Sequence, residues 1–230
     1  MNTRILKLVC ILLITLIFNC KEENNTALIK YKYADQPETV TCNTEDDKLL
    51  KEALYSFEND IINTYDPQGK NKLRAYRAFV NNAIANRVTL ESMVSSHTKT
   101  IFEGLKTKKN LFDGTQLNYD NKLVNCLSTN IKDQSLKTTF NALVSTNSMS
   151  QQLFGPALRS NTSYTRDPYL QTFIALDYYY AKMNALDFST LDVNANDQKQ
   201  QSNNKIDFNK RPTIQPKQPV KVDDHAGHNH

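Results

Sequence analysis

From Asp167 to Met183 the chain carries apolar side chains at two interleaved helical spacings, and this stretch limits the fold more than any other. Tyr169, Phe173, Leu176, Tyr180 and Met183 follow one another at intervals of 4, 3, 4 and 3, while Leu170, Ile174, Tyr178 and Ala181 form a second stripe. A helix apolar on most sides has to be surrounded by protein. Its start is marked by Asp167, a good N-cap, with Pro168 at the first helical position, where the missing N–H costs nothing. The pattern predicts a central helix with the earlier helices packed around it.

Those earlier helices are legible from the same periodicity. Thr44 with Asp47 reads as a capping-box-like start, followed by Leu50, Leu54, Phe57, Ile61 and Tyr65 on one face. The turn Asp66-Pro67-Gln68-Gly69 leads to a second stripe of Leu73, Tyr76, Val80, Ile84 and Val88, so the two helices are expected to form a hairpin. Leu90, Val94, His97, Ile101 and Leu105 make a third stripe, closed by Lys106, Lys108 and Lys109. Asp113-Gly114 marks a loop, and Leu123, Val124 and Leu127 a short helix. Asp133 is a cap for a helix bearing Leu136, Phe140, Leu143 and Val144. Residues 149–166 read either as a helical turn through Leu153, Phe154 and Leu158 or as a loop, because Gly155-Pro156 interrupts them. No strand pattern of comparable strength occurs. The fold class expected is all-α: a single helical bundle of about five to seven helices over residues 44–188, with stacked hairpins as the alternative. Residues 189–230 are polar and proline-spaced, too poor in apolar side chains to offset the entropy of ordering, and read as a disordered tail.

The amino terminus has a different character. Arg4 and Lys7 precede an apolar run from Leu8 to Phe18, and then come Asn19 and Cys20. That is the layout of a secretory signal. The run is well short of the ~20 residues that cross a bilayer as a helix. With Leu16-Ile17-Phe18-Asn19-Cys20 at the expected cleavage point, the sequence resembles a bacterial lipoprotein precursor, although Phe18 and Asn19 are larger than the family norm. The resemblance implies that residues 1–19 are removed and that Cys20 is acylated and becomes the first residue. Lys21-Glu22-Glu23 look like the surface-export signal of flavobacterial lipoproteins; the other reading is a charged start to a linker. A bacterial outer membrane location follows from the resemblance, lipid-anchored and surface-exposed, with residues 20–43 as a tether. Secretion with Cys20 unmodified is the other possibility. One acyl chain binds membranes only marginally, and lipoproteins of this class carry two or three.

Removing residues 1–19 takes away Arg4 and Lys7, leaving 26 cations against 24 anions, a net charge of +2 where the whole chain has +4. Such balance argues against a nucleic-acid partner, and the cluster Lys106, Lys108 and Lys109 reads as a solvated helix end. Only five glycines are present and none lies in a phosphate-cradling motif. The abundant asparagines need not mean function. Of the four cysteines, Cys10 leaves with the signal and Cys20 takes the lipid. Cys42 and Cys126 remain, either as a disulfide or as two free thiols.

Three of the four histidines, His225, His228 and His230, end the chain beside Asp223 and Asp224. A tract of this kind can hold Zn²⁺, Cu²⁺ or Ni²⁺ weakly, or simply be a polar end. His97 lies on an apolar stripe with Glu91 and Glu103 about 120° off its face, so a hydrogen-bonded core or boundary histidine is expected there rather than a ligand. Asp177 interrupts the most apolar helix. A carboxylate there is either raised in pKa for acid–base work or paired, with Arg74, Arg77, Arg87 and Arg159 as available partners and tyrosine hydroxyls as another way to satisfy it. No complete nucleophile–base–orienter set is visible. The sequence therefore points to a binding domain for a protein or small-molecule ligand. The runner-up is a metal-handling lipoprotein, and no cofactor beyond a weakly held divalent metal is expected.

Overall fold

Every residue from Leu170 to Ala181 is buried, and the other helices are arranged around that segment. The computed structural model describes residues 29–193 and 195–198. In chain order these form α1 (Asp47–Tyr65), α2 (Lys72–Ile84), α3 (Ser96–Lys106), the two-residue strands β1 (Phe112–Asp113) and β2 (Gln116–Leu117), α4 (Lys122–Asn130), α5 (Gln134–Ser145), α6 (Gln151–Ser160) and α7 (Pro168–Ile174). The chain runs on from α7 without a break through a π-helical segment, Ala175–Tyr180, into a 3₁₀ turn, Ala181–Ala185. The described residues are thus an all-α bundle, as the periodicity predicts, together with one small hairpin that it does not.

The core is aromatic. Phe57 of α1 meets Phe79 and Tyr76 of α2 at 4.9 and 5.6 Å between ring centroids, and Tyr179 at 5.2 Å. Phe173 of α7 packs on Phe140 of α5 at 4.8 Å and on Phe154 of α6 at 5.9 Å, in edge-to-face geometry. Such contacts place a ring edge against a neighbour's electron-rich face, adding to the area buried. Asp167 caps α7 as expected, accepting from the Tyr169 and Leu170 amides, and Asp133 caps α5 through Leu136.

Several boundaries differ from the sequence reading. α1 begins at Asp47, because that carboxylate accepts from the Cys42 and Asn43 amides and the Thr44 hydroxyl and holds residues 42–44 in a turn. The stripe from Leu90 to Leu105 is two elements. A 3₁₀ turn (Leu90–Ser92) ends before Ser95, whose hydroxyl accepts from the Thr98 amide and starts α3 afresh. The Asp113-Gly114 loop is the turn of a hairpin, with Phe112 paired to Leu117 and Gly114 at φ +56°. Residues 149–166 resolve into α6 and a 3₁₀ turn (Thr162–Arg166). Pro156 lies on the exposed side of α6, and Gly155 faces α2 closely enough that an added Cβ would come within 2.5 Å of Ile84.

The folded unit also reaches beyond residues 44–188. In the stretch read as a tether, Val40 is buried and the Lys32 and Tyr33 amides donate to Glu52 of α1 at 2.5 and 2.9 Å. Cys42 is bonded to Cys126 of α4, Cα to Cα 5.8 Å, which resolves the two cysteine alternatives. At the other end, Asn196 donates to the Glu91 and Val94 carbonyls, and Asp197 accepts from the Ser96 amide at the start of α3. These stretches hold on through polar bonds to distant elements, which leave no apolar period to read.

Asparagine has a structural job here. Asn86 and Asn147 adopt left-handed backbone, φ 52° in both, just past the ends of α2 and α5. In each case the asparagine's own amide and the next one turn back onto the helix, Asn86 to Ala83 and Arg87 to Asn82, and Asn147 to Val144 and Ser148 to Leu143. This is the Schellman closure usually made by glycine. Asn71, Asn121 and Asn161 serve as N-caps. A glycine-poor chain has given five of its helix ends to asparagine.

Candidate functional site

Four consecutive polar side chains of the π-helical segment point into three different surroundings. A π turn adds a residue to the helical circuit and such turns concentrate at functional positions. Here Asp177 faces the hairpin, Tyr178 faces the space between α2 and α6, and Tyr179 and Tyr180 face α1.

The α1 side is a closed polar seam. Asp60 is fully buried and accepts from the Tyr179 hydroxyl at 2.7 Å and the Thr98 hydroxyl at 2.6 Å. Tyr180 donates to the Ala53 carbonyl at 3.0 Å. Glu58 accepts from Tyr76 and pairs with Lys72. Glu52, also fully buried, bonds His97 Nε2 at 2.6 Å as well as the two amides of residues 32–33. Burial first, then the carboxylate field, pushes the Tyr76, Tyr179 and Tyr180 phenols up, so they stay protonated donors at neutral pH. Every carboxylate in the seam is engaged, so its chemistry is adhesion between elements. His97 is the hydrogen-bonded boundary residue expected, held by Glu52 of α1, with its ring edge-on to Tyr33 at 5.9 Å.

At Asp177 both sequence alternatives are met in part: its carboxyl pKa is raised, and a tyrosine hydroxyl, that of Tyr119, satisfies it. Burial pushes its pKa up to about 6, while the Leu117 amide at 2.8 Å, the Lys182 charge and the Tyr119 hydroxyl at 3.1 Å pull the other way. The arginines considered from sequence are not its partners. It latches the hairpin onto the central helix.

The seam between α2 and α6 is open at both ends. Gly155 and Ile84 close its middle. At one end, Ala83, Asn86, Val88, Leu90, Gln151, Tyr178 and Lys182 line a cavity of about 210 Å³. At the other, Arg77, Val80 and Asn81 of α2 face Leu158 and Arg159 of α6 across a second cleft of about 210 Å³, bounded by Thr162 and Tyr164. Two residues that line the first cavity, Tyr178 and Gln151, carry buried donors, Oη and Nε2, that make no hydrogen bond among the described residues. An unpaired buried donor costs about 1–3 kcal/mol. Lys182 stands beside them, with no ion pair of its own among the described residues. Two neutral donors, one cation and the apolar walls Ala83, Val88 and Leu90 suit a small ligand with a carboxylate or carbonyl head.

Cys20, Lys21, Glu22 and Glu23 lie outside the described residues, as do Asp223, Asp224, His225, His228 and His230. Among the described residues, no group of three His, Cys, Asp or Glu side chains is placed to hold a metal, and no helix is long and apolar enough to cross a membrane. Sequence reasoning missed Glu52, Asp60, Gln151 and Lys182. Glu52 and Asp60 lie eight residues apart with Ser56 between, a polar line at helical spacing beside the α1 apolar stripe, which was the available signal. Gln151 and Lys182 carried none. No family model, curated protein or solved structure matches the chain.

Proposed function

We propose that the chain is a lipid-anchored outer-membrane lipoprotein, exposed at the bacterial surface, whose helical domain binds a small ligand in the Gln151–Tyr178–Lys182 cavity. The anchor reading rests on Cys20 after its short apolar run and on the Lys21-Glu22-Glu23 sequence behind it. The Cys42–Cys126 disulfide agrees with an oxidising compartment. The binding reading rests on one observation: a cavity is lined by Lys182, which has no ion pair among the described residues, and by Gln151 and Tyr178, whose buried donors make no hydrogen bond among them.

Fractionation of cells carrying Cys20→Ala tests the anchor. The variant leaves the membrane fraction, and its retention there would remove the lipid from the account. Titration of the protein with short-chain carboxylic acids, followed by NMR, tests the cavity. Shifts confined to the cavity and lost in Lys182→Gln and Tyr178→Phe support it, whereas shifts that survive both substitutions refute it. The second reading, a metal-handling lipoprotein, is favoured by the placement of His225, His228 and His230 in the last six residues. Calorimetry with Zn²⁺ and Cu²⁺, with and without residues 223–230, decides it, and equal heats from the two proteins discard it.

A further inference from the structure

The second cleft of the α2–α6 seam has a different chemistry from the first. Its rim carries two guanidinium groups, Arg77 from α2 and Arg159 from α6, and no carboxylate lines it. Neither arginine makes an ion pair among the described residues, whereas Arg74, one turn earlier on α2, is paired with Asp66 at 3.2 Å. Arg159 donates through Nε to Asn81 Oδ1 at 3.2 Å. That bond restrains the plane of the guanidinium and leaves its two terminal nitrogens for another acceptor. Arg77 lies close enough to Tyr164 for its charge to oppose the burial that pushes the phenol up to about 12. The floor of the cleft is apolar, with Val80 and Leu158 both buried.

We propose that this cleft binds a tetrahedral oxyanion, the phosphate or sulfate group of a small molecule or a surface glycan, between Arg77 and Arg159. Guanidinium forks present paired N–H donors that match phosphate or sulfate oxygens and are less tightly hydrated than ammonium groups. Three elements border the cleft: α2 through Arg77, α6 through Arg159, and the turn after α6 through Thr162 and Tyr164, both hydroxyl-bearing residues. Three directions of approach suit a group with three or four acceptor oxygens better than a planar carboxylate with two. The volume corresponds to roughly seven waters, enough for the oxyanion and the first atoms of its ester. Two like charges held across a cleft without a counter-charge repel each other, and an anion between them removes that repulsion. The site is independent of the lipid anchor and of the Tyr178 cavity.

The test is calorimetry on the Cys20→Ala protein with inorganic phosphate, inorganic sulfate and acetate at one ionic strength. Phosphate or sulfate, or both, are expected to bind saturably, acetate more weakly, and the stronger of the first two names the ester. Arg77→Gln and Arg159→Gln should each weaken binding by about tenfold, the scale of losing a charge-assisted hydrogen bond. Lys122→Gln, elsewhere on the surface, and Tyr178→Phe should bind as the parent does. Absence of saturable heat, equal binding of acetate, or unchanged affinity in both arginine variants overturns the proposal. Circular dichroism of the variants separates loss of the site from loss of the fold, and the NMR titration of the Tyr178 cavity reports separately on the proposed function.

Discussion

Replacing Asp177 by Asn removes a charge from the middle of the central helix while keeping an acceptor for the Leu117 amide and the Tyr119 hydroxyl. Asp177 is 2% exposed, so solvent does little to screen it. Its folded-state pKa is about 6, against 3.8 for the free side chain. A raised carboxyl pKa means that the folded state holds the proton more tightly than the unfolded one. The stabilisation is therefore present below the unfolded value and is lost as pH rises through the folded value. A shift of roughly two units, at ~1.4 kcal/mol each, makes ionisation of Asp177 cost the fold roughly 3 kcal/mol at neutral pH. Lys182 is the charged neighbour that limits this cost. Urea unfolding of the parent and Asp177→Asn proteins between about pH 4 and pH 7.5 isolates the effect, because the other titrating groups cancel in the difference. The stability of the variant relative to the parent should rise by roughly 2–3 kcal/mol across that range, mostly below pH 6. Parallel stability curves for the two proteins would show that Asp177 is not held in the environment described.

Phe173 joins the rings of α5 and α6, so Phe173→Ala should cost about 3–5 kcal/mol, read as a lowered urea midpoint; a loss below about 1 kcal/mol would mean that the cluster collapses around the hole. The Cys42–Cys126 bond closes a sequence separation of 84 residues, and chain entropy assigns it about 4–5 kcal/mol. The double Ser variant should lose most of that in chemical denaturation, and a parent whose stability is unchanged by reductant would argue that the bond does not form. Asn86→Ala puts a β-carbon-bearing residue without a carboxamide into left-handed backbone at the end of α2, and should cost about 1 kcal/mol. Asn86→Gly should cost nothing or stabilise, and an identical loss in both variants would place the effect in the side chain rather than the backbone.

The sequence by itself determined the helical class, the central position of the segment after Asp167 and the caps at Asp133 and Asp167. Apolar spacing and capping residues are local signals that act within one or two turns. The burial of Asp177 was legible for the same reason, since a carboxylate inside a doubly striped helix is buried wherever the helix lies; whether its pKa rises stays open between two alternatives. Its partner was not legible, because Leu117 and Tyr119 are about sixty residues away and reach it only through a two-residue hairpin. The tether and tail boundaries moved for a similar cause: Glu52, Asn196 and Asp197 hold those stretches by a few polar bonds that leave no period in the chain. Tertiary structure alone decided that Cys42 meets Cys126. It also decided that the α2–α6 seam opens at both ends of the Gly155–Ile84 contact, placing Gln151, Tyr178 and Lys182 around one space and Arg77 and Arg159 around the other. Cavities of this kind are what remains between packed helices, and their shape depends on every neighbour at once rather than on the spacing within any one of them.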